Sequence, residues 1–97
     1  MDIVNELTAY EINLAFKDTK DNQVTPASVS YRITDMAGTV LVPTTSIPVS
    51  EPTASLMIDA TANVCTTGGK EIQERRVVIA AAGLAQIVHI YAVRRIK

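Results

Sequence analysis

The 97-residue sequence has no tryptophan, one cysteine and one histidine, and these shortages restrict the chemistry that it can support. Because Cys65 is the only cysteine, no internal disulfide can form, and packing alone must hold the fold together. His89 cannot build a histidine-rich metal site by itself, and a site shared with Cys65 would need a carboxylate as its third member. We expect His89 either to bond its strand neighbours or to lie at a subunit contact. The sequence therefore predicts no metal, no cofactor and no small-molecule substrate.

Neither sign of charge is in clear excess. Nine Lys and Arg residues stand against ten Asp and Glu residues, which gives a formal net charge of −1. A general nucleic-acid binder needs a surplus of basic residues for its phosphate contacts, so we expect no specific nucleic-acid partner. Any basic patch must be local.

The first residues of the chain, Met1 to Glu6, have neither a basic segment nor an apolar run. This predicts that no secretory signal is present, although a trimmed secreted fragment stays an alternative. A chain of this length predicts one domain over residues 1–97, with residues 1–7 as a candidate extended N-terminal arm.

One apolar stretch is long enough to raise the question of a membrane span. Val77 to Val93 covers about seventeen residues, close to the lower limit for a spanning helix. Its β-branched residues, the central Gly83, and the polar Gln86 and His89 favour strands instead. We therefore expect no membrane partner.

This same C-terminal stretch organises the rest of the chain. Two β-branched runs flank Gly83, which predicts a hairpin of strands from Ile72 to Ala81 and from Leu84 to Ile96. In the second strand, Ile87, Tyr91 and Val93 share one face and can fill a core.

Shorter strands precede the hairpin. Clean alternation predicts strands at Thr8–Lys17 and Ser28–Thr34, and the Asp18–Gln23 segment between them has the composition of a polar turn. We expect a third strand at Thr39–Val42 that Pro43 stops, followed by an edge segment at Thr45–Ile47. A strand at Ala54–Ile58, one helical turn within 60–65 and a loop at 66–69 complete the prediction. Six or seven short strands separated by turns are typical of an all-β antiparallel β-sandwich of about seven strands.

Four segments carry a resemblance to a known group: YEINLAFKD with VTPASVSYRITD, ASLMIDATAN, KEIQERRVVIAAAG and IVHIYAVRRI. Together they resemble small Ig-like virion proteins encoded in the head-to-tail module of tailed bacteriophages, over residues 10–96. The resemblance implies an Ig-like, Greek-key sandwich with a long C-terminal hairpin, and a non-enzymatic structural role in the virion after synthesis in the host cytoplasm. It implies partners among other virion proteins, in a homo-oligomer or ring at the neck, head-tail or tail assembly. Alternatives are a capsid decoration protein and an Ig-like binding module of a bacterial surface or secreted protein.

The last strand supplies the candidate contact residues. Val88, Ile90 and Ala92 are apolar on the face opposite the core, where an outer face is normally polar, so that face must be covered. Either Ile3, Val4 and Leu7 fold back across it or another protein does.

Arginine pairs mark both outer ends of the hairpin. We expect Arg75 and Arg76 to lie near Arg94, Arg95 and Lys97 at one end of the sheet. Like charges repel there unless acidic groups face them. Glu71 and Glu74 within the chain, or a neighbouring subunit, could supply those acidic groups. The sequence therefore predicts a protein contact at the following five residues: Val88, Ile90, Ala92, Arg94 and Arg95.

Overall fold

The computed structural model describes residues 1–65 and 69–96, which fold into seven strands arranged in two sheets. The strands are β1 (Asp2–Asn5), β2 (Tyr10–Ala15), β3 (Val29–Asp35), β4 (Val40–Ile47), β5 (Thr53–Ile58), β6 (Ile72–Ala81) and β7 (Ile87–Arg94). The larger sheet has the order β1-β7-β6-β3-β4, and β2 pairs with β5 in the smaller sheet. The all-β class is confirmed, and two sheets of this kind are compatible with a β-sandwich.

Alternation along β2 and β3 decides which side chains enter the core. Tyr10, Ile12 and Leu14 of β2 are buried, and the residues between them are exposed. On β3, Val29 and Ile33 are buried in the same core. The predicted inward faces of both strands are thus confirmed, because side chains on a strand alternate between its two faces.

The strand at residues 39–42 does not stop at Pro43, as the sequence predicted, but continues as β4 to Ile47. Two features permit the proline. β4 is the edge strand of its sheet, so the missing N–H leaves no ladder bond unmade on the open side. Its pairing with β3 also shifts register between Tyr31 and Ile33, so that two residues of β4 oppose Arg32 there, as at a β-bulge. The predicted edge position of this segment is confirmed.

The C-terminal hairpin forms as predicted, although β7 is shorter than the expected strand. β6 and β7 pair antiparallel from Ile79 opposite Ile87 to Ile72 opposite Arg94. Gly83 adopts φ +78 in the turn, a conformation that glycine reaches without steric cost. Among the described residues, no helix has the length and apolar character needed to cross a membrane.

A short 3-10 turn follows β5. It covers Ala60–Ala62, within the stretch where one helical turn was expected. The following residue, Asn63, is fully buried and donates from Nδ2 to the Thr8 carbonyl at 2.7 Å. The predicted loop at 66–69 lies largely outside the described residues.

The N-terminal residues form a strand that the sequence did not predict. β1 pairs parallel with β7, and Ile3 lies beside Ala92 and Val4 beside Val93. Glu6 extends this junction, because its carboxylate accepts hydrogen bonds from the backbone N–H groups of Cys65 and Ile96. Residues 2–5 therefore widen the larger sheet at its edge rather than fold across its face.

Candidate functional site

The register of the hairpin places the predicted contact residues on one face. Ile87, His89, Tyr91 and Val93 point toward the smaller sheet, and Tyr91 and Val93 belong to the core. Val88, Ile90, Ala92 and Arg94 occupy the alternate positions and therefore point away from it. We call this side of the larger sheet the outer face.

The apolar residues of the outer face differ in accessibility. Val88 is 52 % exposed and Ile90 is 38 % exposed, whereas Ala92 has no accessible surface. Ala92 is a small side chain between Ile3 of β1 and Glu74 of β6, so its neighbours enclose it. Its inclusion among the predicted contact residues therefore needs correction, because a partner could not reach it.

Two further apolar residues lie beside Val88 and Ile90 on the outer face, but only Ile3 adds accessible surface. Val78 lies opposite Val88 across the hairpin, and Ile3 lies diagonally to Ile90 at the edge of the sheet. Ile3 is 46 % exposed. Val78 is only 7 % exposed and packs beneath these side chains. We therefore call the accessible residues Ile3, Val88 and Ile90 the outer apolar patch. Ile3 was not among the predicted contact residues, because it reaches this face only through the pairing of β1 with β7.

Arg75 does not join the other arginines, contrary to the expectation. It points into the protein, is only 2 % exposed, and donates from Nη2 to the Val64 carbonyl at 2.9 Å. The register explains the difference, because Arg75 lies opposite Tyr91, three rungs from the end of the sheet where Arg94 pairs with Ile72. Lys97, the last member of the expected cluster, lies outside the described residues.

The outer face nevertheless has a local excess of positive charge. Its charged residues are Arg32 on β3, Glu74 and Arg76 on β6, and Arg94 on β7. Within residues 1–65 and 69–96, none of these three arginines forms an ion pair, so Glu74 does not neutralise Arg76 or Arg94. Glu71 and Glu74, which were expected to neutralise the arginines from within the chain, therefore form no ion pair with these three, and the arginine charge faces solvent.

Arg95, the fifth predicted contact residue, lies just beyond β7 and is partly buried. Its backbone N–H donates to the Glu71 carbonyl at 2.8 Å, which extends the pairing of the hairpin past the end of the strand. Arg95 therefore lies at the end of the sheet rather than among the strand residues of the outer face.

His89 is bonded on the inner side of the sheet, as expected for a strand histidine. Its Nε2 lies 2.8 Å from the Tyr10 hydroxyl, which donates its hydrogen to Asp2 Oδ2 at 2.6 Å. Because that hydroxyl has a single hydrogen, His89 acts as the donor to Tyr10. Burial and the bond to Asp2 raise the pKa of Tyr10, so this hydroxyl stays protonated. The three side chains connect β1, β2 and β7, which makes them a structural junction.

Cys65 lies elsewhere in the core. Its thiol donates to the Val93 carbonyl at 3.5 Å, and burial raises the pKa of the thiol. A protonated, hydrogen-bonded thiol is a poor nucleophile and a poor metal ligand. The described part of the chain contains no group of three or more His, Cys, Asp and Glu residues that could hold a metal ion.

Comparison with known proteins adds no relative: no family model, curated protein or solved structure matches this chain.

Proposed function

We propose that this chain is a non-enzymatic structural component of a tailed-phage virion, at the neck, head-tail or tail assembly, and that it acts through subunit contacts. The observation that carries the proposal is the outer apolar patch beside arginines that have no ion pair within the described residues. A face of this composition suits a protein partner, since exposed apolar patches with a polar rim mark protein–protein interaction sites.

We further propose that the fold is Ig-like, and the strand pairing supports this. In an Ig-like sandwich the second strand pairs with the fifth in one sheet, and the third, sixth and seventh strands are neighbours in the other. Here β2 pairs with β5, while β3, β6 and β7 are adjacent in the larger sheet.

The energetic gain from covering the patch favours association in a multi-subunit particle. Complete burial of a valine or isoleucine side chain contributes about 1.5–3 kcal/mol, and half of Val88 is already covered. Only the exposed fractions of Val88 and Ile90 can still be buried, so together they would supply about 1.5–2.5 kcal/mol per contact, too little for a tight dimer in isolation. Repetition of such a contact around a ring multiplies the gain, which is the situation of a neck or tail protein.

The interior argues against catalysis. The one histidine donates to Tyr10, and the one cysteine is a buried thiol that donates to a backbone carbonyl. Neither group is positioned as a base or nucleophile toward an open cleft.

Quantitative peptide mass spectrometry of purified phage particles tests the proposal, with this chain counted against the major capsid protein. A small, ring-sized number of copies per particle would support the neck or tail assignment. Hundreds of copies would replace it with capsid decoration. Absence from particles, with the chain found in the secreted or surface fraction, would refute the virion role and favour an Ig-like binding module.

A further inference from the structure

The two sides of the molecule carry opposite charge. On the outer face of the larger sheet, three arginines accompany one glutamate around the outer apolar patch. The whole chain has a net charge of −1, so its negative charge must lie elsewhere.

Much of that negative charge lies on the opposite side of the molecule. On the outward side of the smaller sheet, Glu11 of β2 faces Met57 of β5 across the strand pair, and its carboxylate accepts a hydrogen bond from Ser55 Oγ at 2.6 Å. Glu51 lines a shallow depression on the same side, and Asp59 is exposed immediately after β5. Met57 is 55 % exposed among them. We call Glu11, Glu51, Met57 and Asp59 the acidic face.

Lys17, the cation that follows β2 in the chain, is paired within its own turn, where its Nζ lies 3.4 Å from Asp21 Oδ1. The acidic face thus combines carboxylates with one exposed apolar side chain. The outer face combines arginines with several exposed apolar side chains. The two surfaces are complementary in charge, and each offers an apolar centre to the other.

From this complementarity we propose that the outer face binds the acidic face of a second copy of this chain, head to tail. Two outer faces cannot pair well with each other, because Arg32, Arg76 and Arg94 of one copy would meet the same arginines of the other. The molecule measures 44 × 22 × 21 Å, so its broad side is large enough to supply the about 800 Å² per partner of a standard interface. A head-to-tail contact leaves one surface of each kind open at the ends, so it continues into a ring or a filament.

This inference rests on the proposed function and names one partner of the virion protein, the next copy of itself. Arg76 and Glu11 are the positions for the test, because Arg76 is outward on the central strand of the larger sheet and Glu11 is outward on β2 of the smaller sheet. The variants are Arg76→Glu and Glu11→Arg. Lys20→Glu, in an exposed turn on neither surface, makes the same charge change as Arg76→Glu and serves as the matched control. Circular dichroism and thermal unfolding establish that each variant is folded.

Sedimentation velocity over a wide range of protein concentration measures self-association. We expect the wild-type chain and Lys20→Glu to associate, more weakly as salt is added, because exposed charges are screened. Each single variant should associate about tenfold or more weakly, as expected when one attractive pair becomes repulsive. An equimolar mixture of the two variants should regain wild-type association. In that mixture the glutamate introduced at position 76 of one variant meets the arginine introduced at position 11 of the other, and the unchanged surfaces also fit.

Three results would overturn the head-to-tail contact: a wild-type chain that stays monomeric at every concentration, single variants that associate like the wild type, or a mixture that stays as weak as its components. The particle count described above is independent of these results. If the chain is monomeric but present in particles, the head-to-tail contact is refuted and the virion role stands. If the mixture of variants regains association but the chain is absent from particles, the contact stands and the virion role is refuted.

Discussion

Replacing Tyr91 with phenylalanine should destabilise the protein by about 1–3 kcal/mol, because the change leaves a buried hydrogen-bond acceptor without its donor. The Tyr91 hydroxyl donates to Asn63 Oδ1 at 2.6 Å, and both side chains have no accessible surface. Phenylalanine keeps the ring and its stacking on Tyr10, where the ring centroids are 4.6 Å apart. The loss is therefore confined to the hydrogen bond and to the desolvated oxygen that remains on Asn63.

Urea unfolding followed by far-ultraviolet circular dichroism measures this loss. For a chain of this size, the expected destabilisation also lowers the midpoint of thermal unfolding by about 5–15 °C. Tyr31→Phe is the matched control, because the Tyr31 hydroxyl makes no hydrogen bond to any described residue and the side chain is only partly buried. We expect that control to stay within about 0.5 kcal/mol of the wild type. Equal stabilities for the two variants would refute the argument that the Tyr91–Asn63 bond helps to fix the core.

Two further predictions concern pH and the hairpin turn. Burial raises the pKa of Tyr91 to about 12, so between about pH 10 and 12 the folded state holds a proton that the unfolded chain has released. Stability should therefore fall as pH rises through that window, and urea midpoints should fall less steeply in Tyr91→Phe; parallel pH profiles would contradict this. Gly83→Ala should cost about 1 kcal/mol in urea unfolding, because φ is +78 there and a Cβ would gain no contact within 4 Å. A more stable Gly83→Ala variant would show that the turn relaxes instead.

Alternation allowed much of the fold to be predicted from the sequence. The inward residues of β2, β3 and β7 follow from period-two patterning and from turn residues between the strands. The turn after β2 also behaves as its composition indicated, since Asp18 Oδ1 accepts from the backbone N–H groups of Lys20 and Asn22. These features depend on neighbouring residues in the chain, so a single sequence carries them.

Features that depend on distant partners were predicted poorly. β1 has four residues, and its parallel pairing with β7 joins opposite ends of the chain, so no local signal announces it. Pro43 is compatible with its strand only because β4 is an edge with a register shift, which the sequence does not display.

The candidate site was only partly predictable for a related reason. Arg75 was grouped with Arg76 by charge, although adjacent residues of a strand must point to opposite faces. Applied consistently, alternation would have placed Arg75 inward with Val77 and Ile79, and Arg76 outward with Val78. That assignment holds in the structure, in which Arg75 is buried and donates to a backbone carbonyl.

The register of β7 explains why Val88 and Ile90 stay on the outer face. A slip of one residue would turn Val88 and Ile90 into the core, but it would also expel Tyr91 and break its bond to Asn63. His89 would lose Tyr10 in the same step. The inward side chains therefore fix the register, and Val88 and Ile90 cannot turn into the core. Nor does β1 cover them, because it pairs at the edge of the sheet beside Ala92. Their apolar character adds nothing to the interior of this chain, which is why we assign it to the contact with the next copy.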